Sequence, residues 1–208
     1  MNTEVEKFFT GNLPADPKQF AQGLQNFADN INTNTGEAWI IFSKQGVWTI
    51  GQDRMEIKPD EQWAVNPQAF KHGYIGWNDG KKVGEVMAPH GTPIDQSTLD
   101  PIKSDKDEDG WKAQLSVHLK SLSPGGGDGV YSTGTYGGLQ AVKGLVQAIV
   151  AQFDVDPAHA VPIVHLNTDS YKHRRYGEVF TPVIEVVGWT DMDGGATASA
   201  PRRDRQLM

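Results

Sequence analysis

Two periods run through the apolar positions of this chain. Trp111, Ala113, Leu115, Val117 and Leu119 alternate with Lys112, Gln114, Ser116, His118 and Lys120. A period of two marks a strand with one covered face and one polar, partly basic face. Residues 38–43 and 47–50 are dense in β-branched and aromatic side chains and flank Lys44, Gln45 and Gly46, which predicts a hairpin. Short strands are expected at 63–65, 70–77 and 82–87, the last two joined by the turn Asn78, Asp79, Gly80 and Lys81. Further strands are expected at 130–136, 161–166 and 180–189. The helical period appears twice. Phe20, Leu24, Phe27 and Ile31 form one stripe behind a start signal with Asp16 as N-cap, Pro17 at N1 and Gln19 at N3, predicting a helix over about 16–32. Leu139, Val142, Leu145, Val146, Ile149, Val150 and Phe153 mark a second helix with a wide apolar face, stopped by Asp156 and Pro157.

Between these elements, residues 88–110 carry Pro89, Gly91, Pro93 and Pro101 and the acidic run Asp105 to Asp109, the pattern of a long surface loop. Residues 191–208 are rich in Gly, Ala, Ser and Arg with little apolar content, and are read as a disordered tail behind one globular domain over 1–190. Strands do not alternate regularly with helices, so a doubly wound sheet is not expected. The expected class is α+β and β-rich: an antiparallel twisted sheet or an OB-like barrel with two helices packed on it. The 23 glycines and 12 prolines among 208 residues agree with many short strands and turns.

Composition narrows the chemistry. The chain has no cysteine, which excludes disulfides, thiolate catalysis and cysteine-based zinc sites. Its first residues have neither a basic nor an apolar signal-peptide region, and no apolar run reaches the roughly 20 residues of a membrane span, so a cytoplasmic protein without membrane contact is expected. The formal net charge of −7 argues against coating duplex DNA through bulk charge but leaves room for a local basic track.

Such a track is legible at Tyr171, Lys172, His173, Arg174, Arg175 and Tyr176, the densest basic cluster in the chain, in a segment joining two strands. Cations neutralise phosphates and aromatic faces stack on unpaired bases, so this mixture suits single-stranded nucleic acid. It also suits a solvated turn with its tyrosines anchored in the core. A second patch is expected at Tyr74 and Trp77 with Lys71, Lys81 and Lys82, and Lys120 extends the track. The other aromatics, Trp39, Trp48, Trp63, Trp111, Tyr131, Tyr136 and Trp189 among them, are expected to pack in the core or the sheet. The arginines at 202, 203 and 205 could add phosphate contacts.

Catalytic and metal signatures are absent: the six histidines make no HExxH or facial-triad spacing, and no cofactor is expected. Gly134, Thr135, Tyr136, Gly137 and Gly138 precede a helix and could hold an anion, but a tight strand-to-helix turn accounts for them as well. Asp105, Asp107 and Asp109 lack the twelfth-position glutamate of a calcium loop.

Pro162 through Leu166, Ser170 through His173, Tyr176 and Gly177, Thr181 through Val183, and Val187 through Trp189 together resemble a pattern in small proteins encoded by tailed phages and prophages. The resemblance runs over residues 162–189. It implies a replication-module setting in which OB-type single-stranded DNA-binding proteins are common, although the acidic C-terminus usual in those proteins is missing here. The expectation is therefore a non-enzymatic protein that binds single-stranded DNA without strong sequence preference during phage replication or recombination. Replication or recombination proteins and further copies of the chain are the expected partners. Two rivals stand beside it. One is a phage structural or host-interaction protein. The other is an enzyme with a site around His165, Asp169 and His173.

Overall fold

The structure, a computed structural model, describes residues 38–106, 109–175, 177–191 and the backbone of 198–199. The helix expected over 16–32 and the arginines of the tail lie outside the described residues.

Among the described residues eleven strands build one sheet: β1 (Ala38–Phe42), β2 (Trp48–Ile50), β3 (Met55–Glu56), β4 (Gln62–Val65), β5 (Lys71–Asn78), β6 (Lys81–Pro89), β7 (Gly110–Ser121), β8 (Asp128–Thr133), β9 (Val161–His173), β10 (Gly177–Thr190) and β11 (Ala198–Ser199). One long helix, α1 (Tyr136–Val155), connects β8 to β9. The sheet runs β11-β10-β9-β4-β7-β8-β1-β2-β3, with β5 and β6 branching from β7. The branch arises because β4 and β5 share one side of β7. β4 pairs with its C-terminal end, Trp63 opposite Ser121, and β5 with its N-terminal half, Lys71 opposite Ser116. The 3-10 turn Pro67–Ala69, capped by the Asn66 side chain, breaks them apart.

All pairs are antiparallel except β1 with β8, where Trp39 stands beside Val130 and Ile40 beside Tyr131. The sheet is thus mixed, which corrects the expectation of a wholly antiparallel one. It is curled into a half-barrel. Inward side chains follow the period of two: Trp63 and Val65, Val117 and Leu119, Val164 and Leu166, with Ile40, Trp48 and Tyr131, all buried. Trp48 packs edge-on against Tyr131 at 4.9 Å between ring centroids.

α1 lies on this core. The Thr135 hydroxyl caps it by accepting from the Gly138 N–H at 3.2 Å, and Asp156 and Pro157 end it. Val142, Leu145 and Ile149 face inward, while Val146, Val150 and Phe153 stay exposed, so the wide apolar face expected of this helix is only half covered.

Strand extent differs from expectation in one place that matters. β9 does not stop at residue 166. It runs through Asn167 to His173, in register with β10 as far as Gly177, and the basic segment read as a connection is the end of a two-stranded ribbon. β11 adds Ala198 and Ser199 to β10 inside the stretch read as a tail.

The half-barrel closes through side chains where backbone pairing stops. The Trp48 indole N–H donates to the Asn167 carbonyl at 2.8 Å, and the Thr168 hydroxyl donates to the Gly46 carbonyl at 2.7 Å. Gly46 sits at φ +78° in the β1–β2 turn, and a Cβ there would lie 2.7 Å from the Phe180 ring. Only glycine fits both the backbone angle and the approach.

Candidate functional site

The closure creates a cleft of about 860 Å³. One wall is β1 with the turn after it, from Trp39 to Lys44; another is β10 at Val179 to Pro182, with Tyr171 from β9. The end of β8 and the first turn of α1 form the third side. Thr135 must end β8 and start α1 within a few residues, so Tyr136 is thrown outward at the first helical position and is 80% exposed. Trp39 alternates with the buried Ile40, which turns its ring to the outer face, and it is 51% exposed. Tyr171 is also 51% exposed. Three large aromatic faces therefore stand free around one cleft, beside the hydroxyls of Ser43, Thr135 and Thr181. At the cleft's inner side, burial pushes the phenol of Tyr131 above its ordinary range, keeping it a neutral hydrogen-bonding group.

A second groove, about 530 Å³, runs over the outer face of β5, β7 and β8. It is lined by Ile75, Trp77, Lys82, Glu85, Lys112 and Gln114, and shares Trp39, Ser132, Gly134 and Thr135 with the cleft. Trp39 is the junction of the two. Within the groove Glu85 binds Lys82 at 2.7 Å and accepts from the Gln114 amide at 2.7 Å, so part of its basic charge is held internally.

The residues singled out from sequence fall into three sets. Tyr171 lines the cleft; Trp77 and Lys82 line the groove. Lys172, His173, Arg174 and Arg175 form the far end of the β9–β10 ribbon. His173 is half-buried and the other three are exposed. The His173 ring lies 6.5 Å from that of Tyr171, and its Nδ1 accepts from the Arg175 N–H at 3.1 Å. The third set lines neither cavity. Tyr74 is three residues from Trp77 and so points to the opposite face of β5, where its hydroxyl accepts from Gln96. Lys71 lies at the start of β5, Lys81 at the start of β6 opposite Asn78, and Lys120 at the far end of β7 opposite Asp128. Tyr176 lies outside the described residues.

Sequence reasoning passed over Trp39, Tyr136, Lys44 and Lys112 as site residues. Tyr136 carried a usable signal, as an aromatic at the first position of a capped helix. Trp39 carried none, since both faces of β1 are apolar in sequence.

His165, Asp169 and His173 cannot converge on one substrate. They are spaced four residues apart along an extended strand, about 13 Å for each step. Among the described residues no cluster of three His, Asp or Glu side chains could hold a metal ion, and no helix is long and apolar enough to cross a membrane. Comparisons with protein-family models, curated proteins and solved structures find no match for this chain.

Proposed function

We propose that this protein binds single-stranded DNA without strong sequence preference, the strand lying in the cleft, passing Trp39 and continuing into the groove towards Trp77. The observation that carries this reading is the meeting of two surface cavities at one exposed tryptophan. Tyr136 and Tyr171 stand on one side of it and Trp77 on the other. Exposed aromatic faces at intervals suit bases of any identity, because every base has a stackable face. Lys44 in the cleft and Lys82 and Lys112 in the groove supply phosphate partners along that line. Lys172, Arg174 and Arg175, at the ribbon end, line neither cavity and lie off this line. In this reading the curled sheet serves as an OB-like platform, and the setting is phage DNA replication or recombination.

The test is a titration of tryptophan fluorescence with oligo-dT and oligo-dA at low salt, repeated with Trp39→Ala. Quenching that saturates with both strands and weakens in the variant is expected. No binding to either strand, or binding indifferent to Trp39, would overturn the reading.

One observation favours a second reading, a phage structural or host-interaction protein working through protein contacts. Val146, Val150 and Phe153 form an exposed apolar stripe on α1. Defined oligomers in DNA-free solution that dissociate on Val150→Glu would favour it.

A further inference from the structure

We infer that the DNA this site takes is a junction, with the β9–β10 ribbon gripping duplex and the aromatic cleft receiving the single strand that leaves it. This rests on the single-strand reading above and names the form of DNA.

The argument begins with exposure along β9. From Val161 to Leu166 the strand is buried on at least one face. Beyond the closure contact at Thr168, Asp169, Ser170, Tyr171 and Lys172 are all exposed, as is Glu178 across from Lys172, whereas Thr181, Phe180 and Val179 across from the first three are half-buried on the cleft side. The exposed pair Lys172 and Glu178, with the turn that follows, therefore extends beyond the cleft wall that Tyr171 and Val179 to Pro182 form. Lys172 and His173 give that end about 7 Å of strand before the turn. A two-stranded ribbon is one of the two elements that fit the roughly 12 Å wide major groove of duplex DNA.

Side-chain chemistry is sorted along the same length. Tyr171, nearest the base, faces the cleft. Lys172, Arg174 and Arg175 come after it, towards the turn, while Asp169 lies behind them and Glu178 stands opposite Lys172. Stacking requires unpaired bases, which duplex does not offer. Arginine contacts to phosphates and groove edges require no unpairing. The ribbon therefore carries at its end what duplex can use, and at its base what only a single strand can use.

The experiment compares three labelled DNAs by fluorescence anisotropy: oligo-dT, a blunt duplex, and the same duplex with a dT tail of the oligo's length. The full chain is expected to bind the tailed duplex at least about tenfold more tightly than oligo-dT or blunt duplex. Arg174→Ala with Arg175→Ala should abolish that margin while changing oligo-dT affinity by no more than about threefold. Both side chains are exposed, and a thermal melt checks that the variant folds. Equal affinity for tailed duplex and oligo-dT, equal affinity for tailed and blunt duplex, or a margin that survives the double variant would each overturn the inference. Equal affinity for tail and oligo with intact dependence on Trp39 would leave the single-strand reading standing. Loss of oligo-dT binding altogether would remove that reading first.

Discussion

At the scale of single residues, the proposed function gives Trp39 and Trp48 different roles. Both are tryptophans in one hairpin. Trp48 is 3% exposed and donates to Asn167 across the closure, whereas the Trp39 ring is half free at the meeting of the cleft and the groove. Trp39→Ala should weaken single-strand binding by about 1–3 kcal/mol, roughly 5- to 150-fold, with unfolding in urea changed by no more than about 0.5 kcal/mol. Trp48→Ala should instead cost about 3–5 kcal/mol of stability, since it leaves a cavity and an unpaired carbonyl. A Trp39 variant that unfolds early, or binds as tightly as the parent, would return that ring to the structural class where sequence reasoning left it. The sequence showed that β1 was a strand, but with apolar residues on both faces its alternation could not say which face was walled. In β7 the polar row beside Leu115 and Val117 removed that ambiguity, and the expected strand is the observed one within a residue at each end.

At the scale of elements, local signals were read well and long-range ones were not. Asn78 to Lys81 announced their turn, and the turn forms with positive φ at Asp79 and Gly80. The basic segment was read as a connection because Asp, Ser, Lys and His are weak strand formers. It became ribbon because Val179, Phe180 and Thr181 pair with it, a tertiary override of propensity. The closure against Gly46 gives an element-level prediction. Gly80→Ala should cost about 1–2 kcal/mol for its positive φ alone, since nothing stands near the added methyl. Gly46→Ala carries the same backbone strain and also presses on Phe180 and Thr168, adding about 1–3 kcal/mol and altering the cleft. Urea midpoints of the two variants measure the difference, and equal midpoints would mean that the closure yields freely. The loop between β6 and β7 has its own anchor. The Ser104 hydroxyl, then the Asp79 N–H, donate to Asp109 and hold its carboxyl below the usual carboxylate range. A folded pKa lower than the unfolded one stabilises the loop above the unfolded value, near 4, and this is lost as pH falls through the depressed folded value. Trp111, whose indole N–H donates to the Asp100 backbone carbonyl in the same loop, should report a fluorescence change in that acid window. Asp109→Asn should remove it.

At the scale of the whole molecule, the proposed function asks how a chain of net charge −7 would hold a polyanion. Under that proposal the surface must sort its charge, and Lys44, Lys82 and Lys112 come from separate segments to line the two cavities. The bond from Trp48 to Asn167 spans 119 residues, which no local pattern could announce. That is why the aromatic cleft, unlike the basic cluster, was invisible in the sequence. The sorting makes a quantitative prediction in salt. Under the proposed function, a single strand along the cleft and groove would meet at most Lys44, Lys82 and Lys112. Each neutralised phosphate contributes about −0.7 to the slope of log affinity against log salt for a single strand, so oligo-dT should show a slope near −2. A tailed duplex held also by Lys172, Arg174 and Arg175 should be steeper by about 2–3, at about −0.9 for each duplex phosphate. Replacing both arginines by alanine should reduce the steeper slope by roughly 2 and leave the oligo-dT slope nearly unchanged. Anisotropy titrations from about 50 to 200 mM salt resolve these slopes. Identical slopes for the two DNAs would mean that the ribbon touches no duplex phosphate. An oligo-dT slope near zero would mean that the path past Trp39 is bound by stacking alone, and the groove lysines would then have no phosphate to hold.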